Sequence, residues 1–420
     1  MPTRRICFAS RDVRILLADA LDDSAVGRLT AGGHDCVIEP ALRAEDLPGR
    51  IIGFDALVVR STRVREDMIA AGDCLELIVR AGAGTNTIDT EAAADVGIYV
   101  TNVPGRNAVA VAELTLGLLL AIDRRIPDNV TDLRAGRWEK KRYGEAEGLF
   151  GRTMGIVGLG DIGLAVAERA AAFGLIVQGL RKPGRSARAR ARIDALGLRL
   201  VDSLDELVSS SDIVSIHVSG GPDTSGLFDA RLLRLMTPGA ILLNTSRGDV
   251  IEGSALLEAL DSQGLRVGLD VYPDEPASGT AEWSSKLAQH PNVIGTHHIG
   301  ASTEQAQRAI ADGVVEIIEA FQRGEILNCV NLAPTRLGTC TLHVRHLDRV
   351  GVLAAVFDAL RRQNMNVEQM ENRIFVGKKA AVATIEVVGE VGDDLVASLE
   401  AIPDVLHVSA VPATEQGHGA

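Results

Sequence analysis

Short apolar runs alternate with amphipathic helical segments along the first three quarters of the chain. Between Val13 and about Pro104 the runs are RILLADA, DCVIE, DALVVR, LELIVRAGAG and IYVTNVP. A second series opens at RTMGIVGLGDIG and continues through LIVQGL, DIVSIHV, AILLNTS, RVGLDVY and NVIGTHH. Because strands that alternate with helices form parallel sheets covered by those helices, the pattern predicts two α/β sheets.

The rest of the chain contains two longer helices and then a C-terminal segment in which the order of strands and helices is different. Helical patterns cover about residues 107–124 and 303–323, and the second is expected to return the chain to the first sheet. Residues 338–412 instead follow the order βαββαβ, which is the ferredoxin-like arrangement. We therefore predict a discontinuous domain of residues 12–106 and 299–330, an inserted domain of residues 107–298, and a C-terminal domain of residues 338–412.

Composition narrows the class of protein. The 420 residues are 46% hydrophobic and 24% charged, which suits packed domains, and the net charge of -13 argues against a nucleic-acid or anionic-membrane partner. Five scattered cysteines without a CxxC pair are typical of a reducing compartment. We expect a cytoplasmic protein with no membrane partner and no metal site.

The stretch GLGDIG contains Gly158, Gly160, Asp161, Ile162 and Gly163 in the GxGxxG pattern. A buried strand precedes it and an amphipathic helix follows, as in dinucleotide-binding folds. The first glycine permits a tight turn, the second lets a pyrophosphate approach, and the third allows close packing of the helix on the strand. The motif predicts a site for NAD or NADP.

The next predicted strand ends at Arg181 and Lys182, where NAD-binding proteins usually have a carboxylate for the ribose hydroxyls. A guanidinium can instead form charge-assisted bonds with the 2′-phosphate of NADP. The residues therefore favour use of NADP, alone or beside NAD. Alternatively, they are part of the solvated basic run that continues through RSARARAR.

Three polar side chains follow later strands of the second series: Arg247 in NTSRGDV, Glu275 in DVYPDEP and His298 in THHIGAST. Since ligands bind beyond the carboxyl ends of parallel strands, all three could face one crevice. Arg247 would hold a substrate carboxylate, His298 would exchange a proton with the substrate oxygen, and Glu275 would orient the imidazole. Taken singly, each residue could equally be a surface or loop residue.

These motifs resemble the D-isomer-specific 2-hydroxyacid dehydrogenase family, and the resemblance covers nearly the whole chain. The blocks RAGAGTNTIDTEAA, VAELTLGLLLA, GIVGLGDIG, SRGDVI, LDVYPDEP and HIGAST match in order. The resemblance implies a flavodoxin-like substrate domain with an inserted Rossmann coenzyme domain. It also implies that Asp270 belongs to the cofactor site and that backbone amides of Gly82, Ala83 and Gly84 hold the substrate carboxylate. One departure is His297, which stands where the family commonly has proline.

Within the family, the chain resembles members that oxidise D-3-phosphoglycerate to 3-phosphohydroxypyruvate, the first step of serine biosynthesis. Cations that could bind a phosphorylated 2-hydroxy or 2-oxo acid are Arg60, beside Ser61, and Lys141 and Arg142 in RWEKKR. The family also predicts a homodimer or homotetramer. The alternatives are an NADP-dependent hydroxypyruvate or glyoxylate reductase, another D-2-hydroxyacid dehydrogenase, and a non-catalytic, corepressor-like sensing protein.

The C-terminal βαββαβ segment resembles an ACT regulatory domain. In the serine-regulated relatives, the effector-binding positions correspond to His346, Asp348 and Asn366. This likeness implies feedback inhibition by L-serine, bound where two such domains pair edge to edge. Asp348 replaces a common asparagine, so it could accept hydrogen bonds from an ammonium group but could not donate to a carboxylate. The alternative is a domain that serves only oligomerisation.

Overall fold

The computed structural model describes residues 12–276, 280–333 and 338–412. The chain divides into two compact units, of which the first extends to Asn331 and the second begins at Leu332. The larger unit contains two separate parallel sheets, and the smaller one contains a single antiparallel sheet. The α/β class and the ferredoxin-like C-terminal arrangement predicted from the sequence are thereby confirmed. The division of the larger unit into two domains stays a prediction.

The first sheet has five parallel strands in the order β2-β1-β3-β4-β5, which is the flavodoxin-like order. The strands are β1 (Arg14–Leu17), β2 (Asp35–Ile38), β3 (Ala56–Val59), β4 (Leu77–Arg80) and β5 (Tyr99–Asn102). The helices between them are α1 (Asp23–Ala31), α2 (Leu47–Arg50), α3 (Glu66–Ala71) and α4 (Thr90–Asp95). β1, β3 and β4 are the interior strands, and their residues are almost entirely buried on both faces, which explains their continuous apolar runs.

The second sheet has seven parallel strands in the order β12-β11-β10-β9-β6-β7-β8. They are β6 (Thr153–Val157), β7 (Ile176–Leu180), β8 (Arg199–Val201), β9 (Ile213–Ile216), β10 (Ile241–Asn244), β11 (Arg266–Leu269) and β12 (Val293–Gly295). The helices are α5 (Ala108–Asp123), α6 (Ile126–Arg134), α7 (Asp161–Ala172), α8 (Ala187–Ala195), α9 (Leu204–Ser209), α10 (Ala230–Arg234) and α11 (Gly253–Gln263), with a 3-10 turn at Gly248–Val250. The strand order reverses between β6 and β9, which is the switch point where doubly wound sheets bind ligands.

Helix α12 (Glu304–Gln322) returns to the first sheet, as the sequence predicts. Its residues Ile310, Val314 and Ile317 lie in one apolar cluster with Ile15 of β1 and Val79 of β4. The helix therefore packs on the same face of the first sheet as α1, whose Ala25 and Leu29 belong to that cluster. Among the described residues, no helix combines the length and the apolar character needed to cross a membrane.

The C-terminal unit has the predicted order, with β13 (Cys340–Leu347), α13 (Val352–Arg362), β14 (Asn366–Ile374), β15 (Ala380–Val388), α14 (Asp393–Glu400) and β16 (Val405–Pro412). Its strands pair antiparallel in the order β14-β15-β13-β16. The inner strands β13 and β15 alternate buried with more exposed residues, and both helices pack on the buried face. Strand β14 is an edge strand whose side chains are mostly exposed.

Candidate active site

A cleft of about 1020 Å³ lies beyond the carboxyl ends of strands from both sheets of the larger unit. The first sheet contributes residues after β4, including Ala83 and Gly84. The second sheet contributes residues after β9, β10 and β11, including Arg247 and Glu275, and His298 follows β12. The three polar side chains predicted to share a crevice therefore lie in one cleft.

The glycine turn between β6 and α7 has the geometry that the motif predicts. Gly158 has φ +103°, and a Cβ atom there would meet the backbone of His217. A Cβ atom on Gly163 would overlap the carbonyl oxygen of Gly158. Gly160, in contrast, has open space around it and caps the N-terminus of α7. Gly158 and Gly163 thus have no room for a side chain because backbone packs against them, whereas the space beside Gly160 is free for a pyrophosphate. These residues fit a dinucleotide.

Arg247 follows β10 and the buried polar residues Thr245 and Ser246. Its Nη1 donates to the carbonyl of Ser246 at 2.6 Å, and its own carbonyl accepts from the Asn244 side chain at 2.8 Å. A Cβ atom on Gly84 would collide with Nη2 of Arg247. The absence of a side chain at Gly84 therefore lets the guanidinium reach across to the loop that follows β4.

Glu275 and His298 form a close pair. Oε2 of Glu275 lies 2.7 Å from Nδ1 of His298, and Oε1 accepts the backbone N–H of Tyr272 at 2.7 Å. The hydrogen bond with Glu275 raises the pKa of His298, although burial and Arg247 oppose it. Burial raises the pKa of Glu275, but the bonds from His298 and Tyr272 outweigh that effect and lower it overall. Because Nδ1 is engaged, Nε2 is the ring atom that remains for a substrate.

Asp270, predicted to serve the cofactor, is buried at the end of β11 and lines the cleft. Its carboxylate accepts from the Thr296 hydroxyl at 2.6 Å and from the backbone N–H groups of Ile299 and Gly300 at 2.8 Å each. These bonds fix both ends of the turn that carries His298, which has φ +51°. Asp270 therefore positions the histidine, whether or not it also contacts a cofactor.

The loop after β4 supplies backbone donors next to Arg247. The Gly82 N–H already donates to the carbonyl of Arg80 at 2.8 Å. In the part of the chain that the structure describes, the N–H groups of Ala83 and Gly84 form no backbone hydrogen bond, and both residues line the cleft. Asn102 fixes the loop by donating to the carbonyl of Ala83 at 2.6 Å. Two of the three predicted amides are thus available for a carboxylate.

Arg60 and Ser61 follow β3 on a turn that Asp19 holds. The Asp19 carboxylate accepts the N–H groups of Arg60, Ser61 and Thr62 at 2.7, 3.1 and 3.0 Å, and the Ser61 hydroxyl at 2.9 Å. Burial raises the pKa of Asp19, but these bonds outweigh it and lower the pKa overall. Arg60 lines a second, smaller pocket beside the start of α12, of about 520 Å³. Sequence reasoning missed Asp19, whose role depends on a contact with residues about forty positions away.

Lys141 and Arg142 are not among the residues that line the cleft of their own chain. They lie on a turn after α6, where Arg142 donates to Asp132 at 2.9 Å. Asp132 also accepts from Arg137 and Tyr143, and these hydrogen bonds lower its pKa. Within one chain, the structure therefore does not bring this basic run together with Arg247 and His298.

Arg181 and Lys182 lie at the carboxyl end of β7, where the ribose of a dinucleotide is expected. Nε of Arg181 donates to Asp202, which follows β8, at 2.8 Å, and both side chains are largely exposed. A carboxylate is thus present at this position after all, although it comes from a neighbouring strand. Arg185 is the more buried cation, and its guanidinium donates to the carbonyl of Leu180 at 2.9 Å.

The three predicted effector residues do not share one place in the C-terminal unit. His346 pairs with Ala381 on β15, at the same end of the sheet as Ile374 of β14. Asn366 begins β14 at the opposite end, where Cys340 begins β13. His346 is buried, and its ring nitrogens lie 2.8 Å from the Leu347 carbonyl and 3.1 Å from the Asn372 side chain. Asp348 lies near His346, and its backbone N–H donates to Lys379.

Three further polar residues line the cleft that the sequence did not single out: Arg80, Asn107 and His217. Each has a side-chain atom shielded from solvent and without a hydrogen-bond partner among the described residues, namely Nε of Arg80, Oδ1 of Asn107 and Nδ1 of His217. Burial lowers the pKa of His217 to about 3, so its imidazole is neutral at physiological pH. A strand-end position was the only sequence signal available for Arg80 and His217. In the described ranges, no group of His, Cys, Asp and Glu side chains is suited to a metal ion.

Comparison with known proteins agrees with this geometry. Residues 116–300 match the family described as "D-isomer specific 2-hydroxyacid dehydrogenase, NAD binding domain". The chain is 32% identical to the D-3-phosphoglycerate dehydrogenase of Escherichia coli, over 96% of this chain and 98% of that protein. It is 39% identical to the D-3-phosphoglycerate dehydrogenase of Methanocaldococcus jannaschii over 78% of this chain, and it spans 61% of that longer protein.

Other members of the family are also similar. The hydroxypyruvate reductase of Thermotoga maritima is 39% identical over 73% of this chain and 97% of that protein. A solved D-isomer specific 2-hydroxyacid dehydrogenase from Polaromonas sp. superimposes with a TM-score of 0.67 at 28% identity, over 76% of this chain and all of that one. The glycine turn and the Arg247, Glu275 and His298 side chains all lie within the matched residues 116–300. The chain belongs to the D-isomer specific 2-hydroxyacid dehydrogenase family.

Proposed function

We propose that this enzyme interconverts D-3-phosphoglycerate and 3-phosphohydroxypyruvate with a nicotinamide coenzyme. The observation that supports this chemistry is the pair of Glu275 and His298, 2.7 Å apart, in the same cleft as Arg247 and as Ile162, which follows the open position at Gly160. The phosphorylated substrate is supported by Arg60, which is close enough to Arg80 of the cleft to lower the pKa of Arg80, and by the E. coli relative, which matches over nearly its whole length. A cytoplasmic location stays a prediction.

In the direction of reduction, the coenzyme supplies a hydride to the carbonyl carbon of the 2-oxo acid. Arg247 and the N–H groups of Ala83 and Gly84 hold the carboxylate and orient that carbonyl. Protonated His298 gives the Nε2 proton to the carbonyl oxygen, so the product is the 2-hydroxy acid and the imidazole is left neutral. Glu275 stabilises the imidazolium before transfer, and the reverse steps oxidise the hydroxy acid.

The coenzyme preference belongs to the same proposal. The residues at the end of β7 suit the 2′-phosphate of NADP, provided that Arg181 exchanges its bond to Asp202 for one to the phosphate. With NAD, the Arg181–Asp202 pair can persist, and the Asp202 carboxylate would be available to accept from the ribose hydroxyls. We therefore propose that the enzyme accepts both coenzymes, with Asp202 limiting the advantage of NADP.

A homo-oligomer is part of the proposed assembly. Helix α6 exposes Ile126, Val130 and Leu133, which lie on one face at helical spacing, and Trp138 follows with 79% of its surface exposed. An apolar face of this kind suits a second copy of the chain. Lys141 and Arg142 follow directly, so a second copy is also the means by which they could reach a cleft.

L-Serine is proposed as an effector of the C-terminal unit. His346 and Asn366 lie at opposite ends of the sheet, so one copy cannot hold a small ligand between them. Antiparallel pairing of the β14 edges of two copies would place Asn366 of one copy near the His346 end of the other. L-Serine could bind to the His346 ring only by replacing one of its present contacts, because one ring nitrogen lies beside the Leu347 carbonyl and the other beside the Asn372 side chain.

The second candidate function is a hydroxypyruvate or glyoxylate reductase, and it is favoured by the similarity to the Thermotoga maritima enzyme. That function would leave the cations near the substrate without a phosphate to bind. A sensing protein without catalysis is disfavoured because Arg247, Glu275 and His298 are all present and share one cleft.

The function is tested by coenzyme oxidation with 3-phosphohydroxypyruvate in wild type, His298→Gln and His297→Gln. His297 is the matched control, because it is the neighbouring exposed histidine. We expect rapid turnover in wild type and His297→Gln, and a kcat lower by about 100-fold or more in His298→Gln. Wild-type turnover that is undetectable with this substrate, or that survives in His298→Gln, would refute the proposed function.

A further inference from the structure

Gly220 lies in the loop that follows β9 and lines the cleft together with Arg247. Its φ is not positive, so its backbone conformation is one that an ordinary residue could adopt. A Cβ atom there would instead meet the Arg247 side chain, at 2.9 Å from Cγ and 3.6 Å from Cδ. The position therefore excludes a side chain because of the arginine stem, and not because of the backbone conformation.

The neighbouring Gly221 differs in both respects. It has φ +155°, and in the described part of the chain a Cβ atom there would have only its own chain neighbours within 4 Å. Alanine in place of Gly221 would therefore strain the backbone without contacting the arginine. The two adjacent glycines thus separate backbone strain from contact with Arg247, which makes Gly221 the matched control for Gly220.

The backbone of Arg247 is held on both sides of its Cα atom. The Arg247 carbonyl accepts from the Asn244 side chain at 2.8 Å. The next residue, Gly248, lies so close to the backbone of Tyr272 that a Cβ atom there would overlap the Tyr272 carbonyl. Because this backbone has no room to retreat, a contact with the Arg247 stem must be relieved by movement of the side chain itself.

The loop after β9 is held as well. The Thr224 hydroxyl donates to the Ser219 carbonyl at 2.6 Å, directly before the first of the two glycines. The Gly226 N–H donates to the Asp249 carbonyl at 2.8 Å, which joins the end of the loop to the 3-10 turn that follows the arginine. Since the loop and the arginine are tied to the same turn, they cannot move apart without breaking these bonds.

The guanidinium of Arg247 lies at the far end of this crossing. Its Nη1 donates to the Ser246 carbonyl at 2.6 Å, and a Cβ atom on Gly84 would collide with Nη2. Gly220 therefore adjoins the stem of the side chain, and Gly84 adjoins its tip. A displacement of the stem at Cγ is transmitted to the guanidinium, which is the part that faces the loop after β4.

We propose that Gly220 is a positioning residue: the absence of a side chain there lets the Arg247 stem pass the loop after β9 and places the guanidinium where it holds the substrate carboxylate. The task assigned to Arg247 rests on the proposed function, but the position of its guanidinium does not depend on which 2-oxo acid is reduced. Misplacement by about 1 Å of a group that orients the substrate can lower the rate by about 100-fold, so a single methyl group at Gly220 is enough to impair catalysis.

The test uses the full-length enzyme with Gly220→Ala, the control Gly221→Ala, Arg247→Ala, and the double variant of Gly220→Ala with Arg247→Ala. Three quantities are measured: kcat and KM with the 2-oxo acid that the wild type reduces fastest, the coenzyme Kd by fluorescence titration, and Tm. Arg247→Ala removes Cγ and Cδ, and with them the close contacts that Gly220→Ala would create.

We expect Gly220→Ala to lower kcat/KM by about 10- to 100-fold through both kcat and KM, while the coenzyme Kd stays within about two-fold and Tm within about 2 °C of the wild type. Gly221→Ala should do the reverse, with Tm lower by about 2 °C or more and kcat/KM changed by less than about three-fold. In the Arg247→Ala background, Gly220→Ala should change kcat/KM by less than about two-fold, because the side chain through which it acts is absent.

Additive losses in the double variant would overturn the inference, and so would a lower Tm with weaker coenzyme binding in Gly220→Ala, which would make Gly220 a structural residue. Failure of the proposed function gives a different result, since the wild type would then reduce neither 3-phosphohydroxypyruvate nor hydroxypyruvate. A crystal structure of Gly220→Ala decides in that case. The inference requires a displaced Arg247 guanidinium between unmoved backbones, and a loop that moves while Arg247 stays in place would contradict it.

Discussion

Two glycines of the turn between β6 and α7 should respond to alanine in different ways. Gly160 has φ −81° and nothing within 4 Å of the position that a Cβ atom would take. A Cβ atom on Gly163 would overlap the carbonyl oxygen of Gly158 and lie 3.2 Å from the Ile156 side chain. Gly160→Ala therefore fits the free protein, whereas Gly163→Ala forces the helix and the strand apart.

The expected magnitudes follow from these contacts. Overpacking against backbone costs about 1–3 kcal/mol of unfolding free energy, or more where nothing can give way, and about 1 kcal/mol lowers Tm by roughly 2–4 °C in a domain of this size. Gly163→Ala should thus lower Tm by about 5 °C or more. Gly160→Ala should change Tm by less than about 2 °C. Its methyl group instead occupies the space for the pyrophosphate and should raise the coenzyme Kd by about 10-fold or more.

The assay combines thermal unfolding of the two variants with a fluorescence titration by NADH and NADPH. Gly160→Ala should separate the two observables, with normal Tm and weak coenzyme binding. Gly163→Ala should weaken both. Normal binding of both coenzymes in Gly160→Ala would refute the assignment of this turn as the pyrophosphate site.

Three further predictions concern single contacts. Glu275→Gln removes the main cause of the raised pKa of His298. Because reduction needs the protonated imidazole, the alkaline limb of the pH profile of kcat should move to lower pH, and kcat should fall by about 100-fold. An alkaline limb at the wild-type pH would contradict this prediction. Asp202→Asn removes the exposed ion pair with Arg181, so the Kd of NADPH should fall by up to about five-fold while the Kd of NADH changes little. Equal changes in the two Kd values would contradict this prediction. Leu133→Lys places a charge on the apolar face of α6 and should reduce the molar mass measured by light scattering to that of a smaller assembly. The control Ile52→Lys changes an exposed apolar residue outside α6 and should leave the molar mass unchanged.

Much of the fold could be predicted because local patterns decide it. The buried strands β6, β9 and β10 are continuous apolar runs, and the glycine turn between β6 and α7 marks the switch point of the sheet. Helix α6 was missed, since it follows α5 after only two residues and its face is polar apart from three apolar positions. The strand orders were implied by resemblance, because strand pairing depends on contacts that a single sequence does not show.

The candidate site was predictable where a residue type and a strand end coincide, as for Arg247, Glu275 and His298. What the sequence could not show are long-range partners. The carboxylate beside Arg181 comes from Asp202, one strand further along, and Asp19 acts on a turn about forty residues away. For the same reason, the separation of His346 from Asn366 became visible only in the register of the C-terminal sheet.

The central claim is that the cleft carries out hydride transfer on a phosphorylated 2-hydroxy acid. The most direct test is the ratio of kcat/KM for 3-phosphohydroxypyruvate to that for hydroxypyruvate, measured with both NADH and NADPH. The account predicts a ratio of about 100 or more with either coenzyme, since two charge-assisted hydrogen bonds to a phosphate add about 3 kcal/mol or more. A ratio near one, or a preference for hydroxypyruvate, would contradict it and identify the enzyme as a reductase of the unphosphorylated acid.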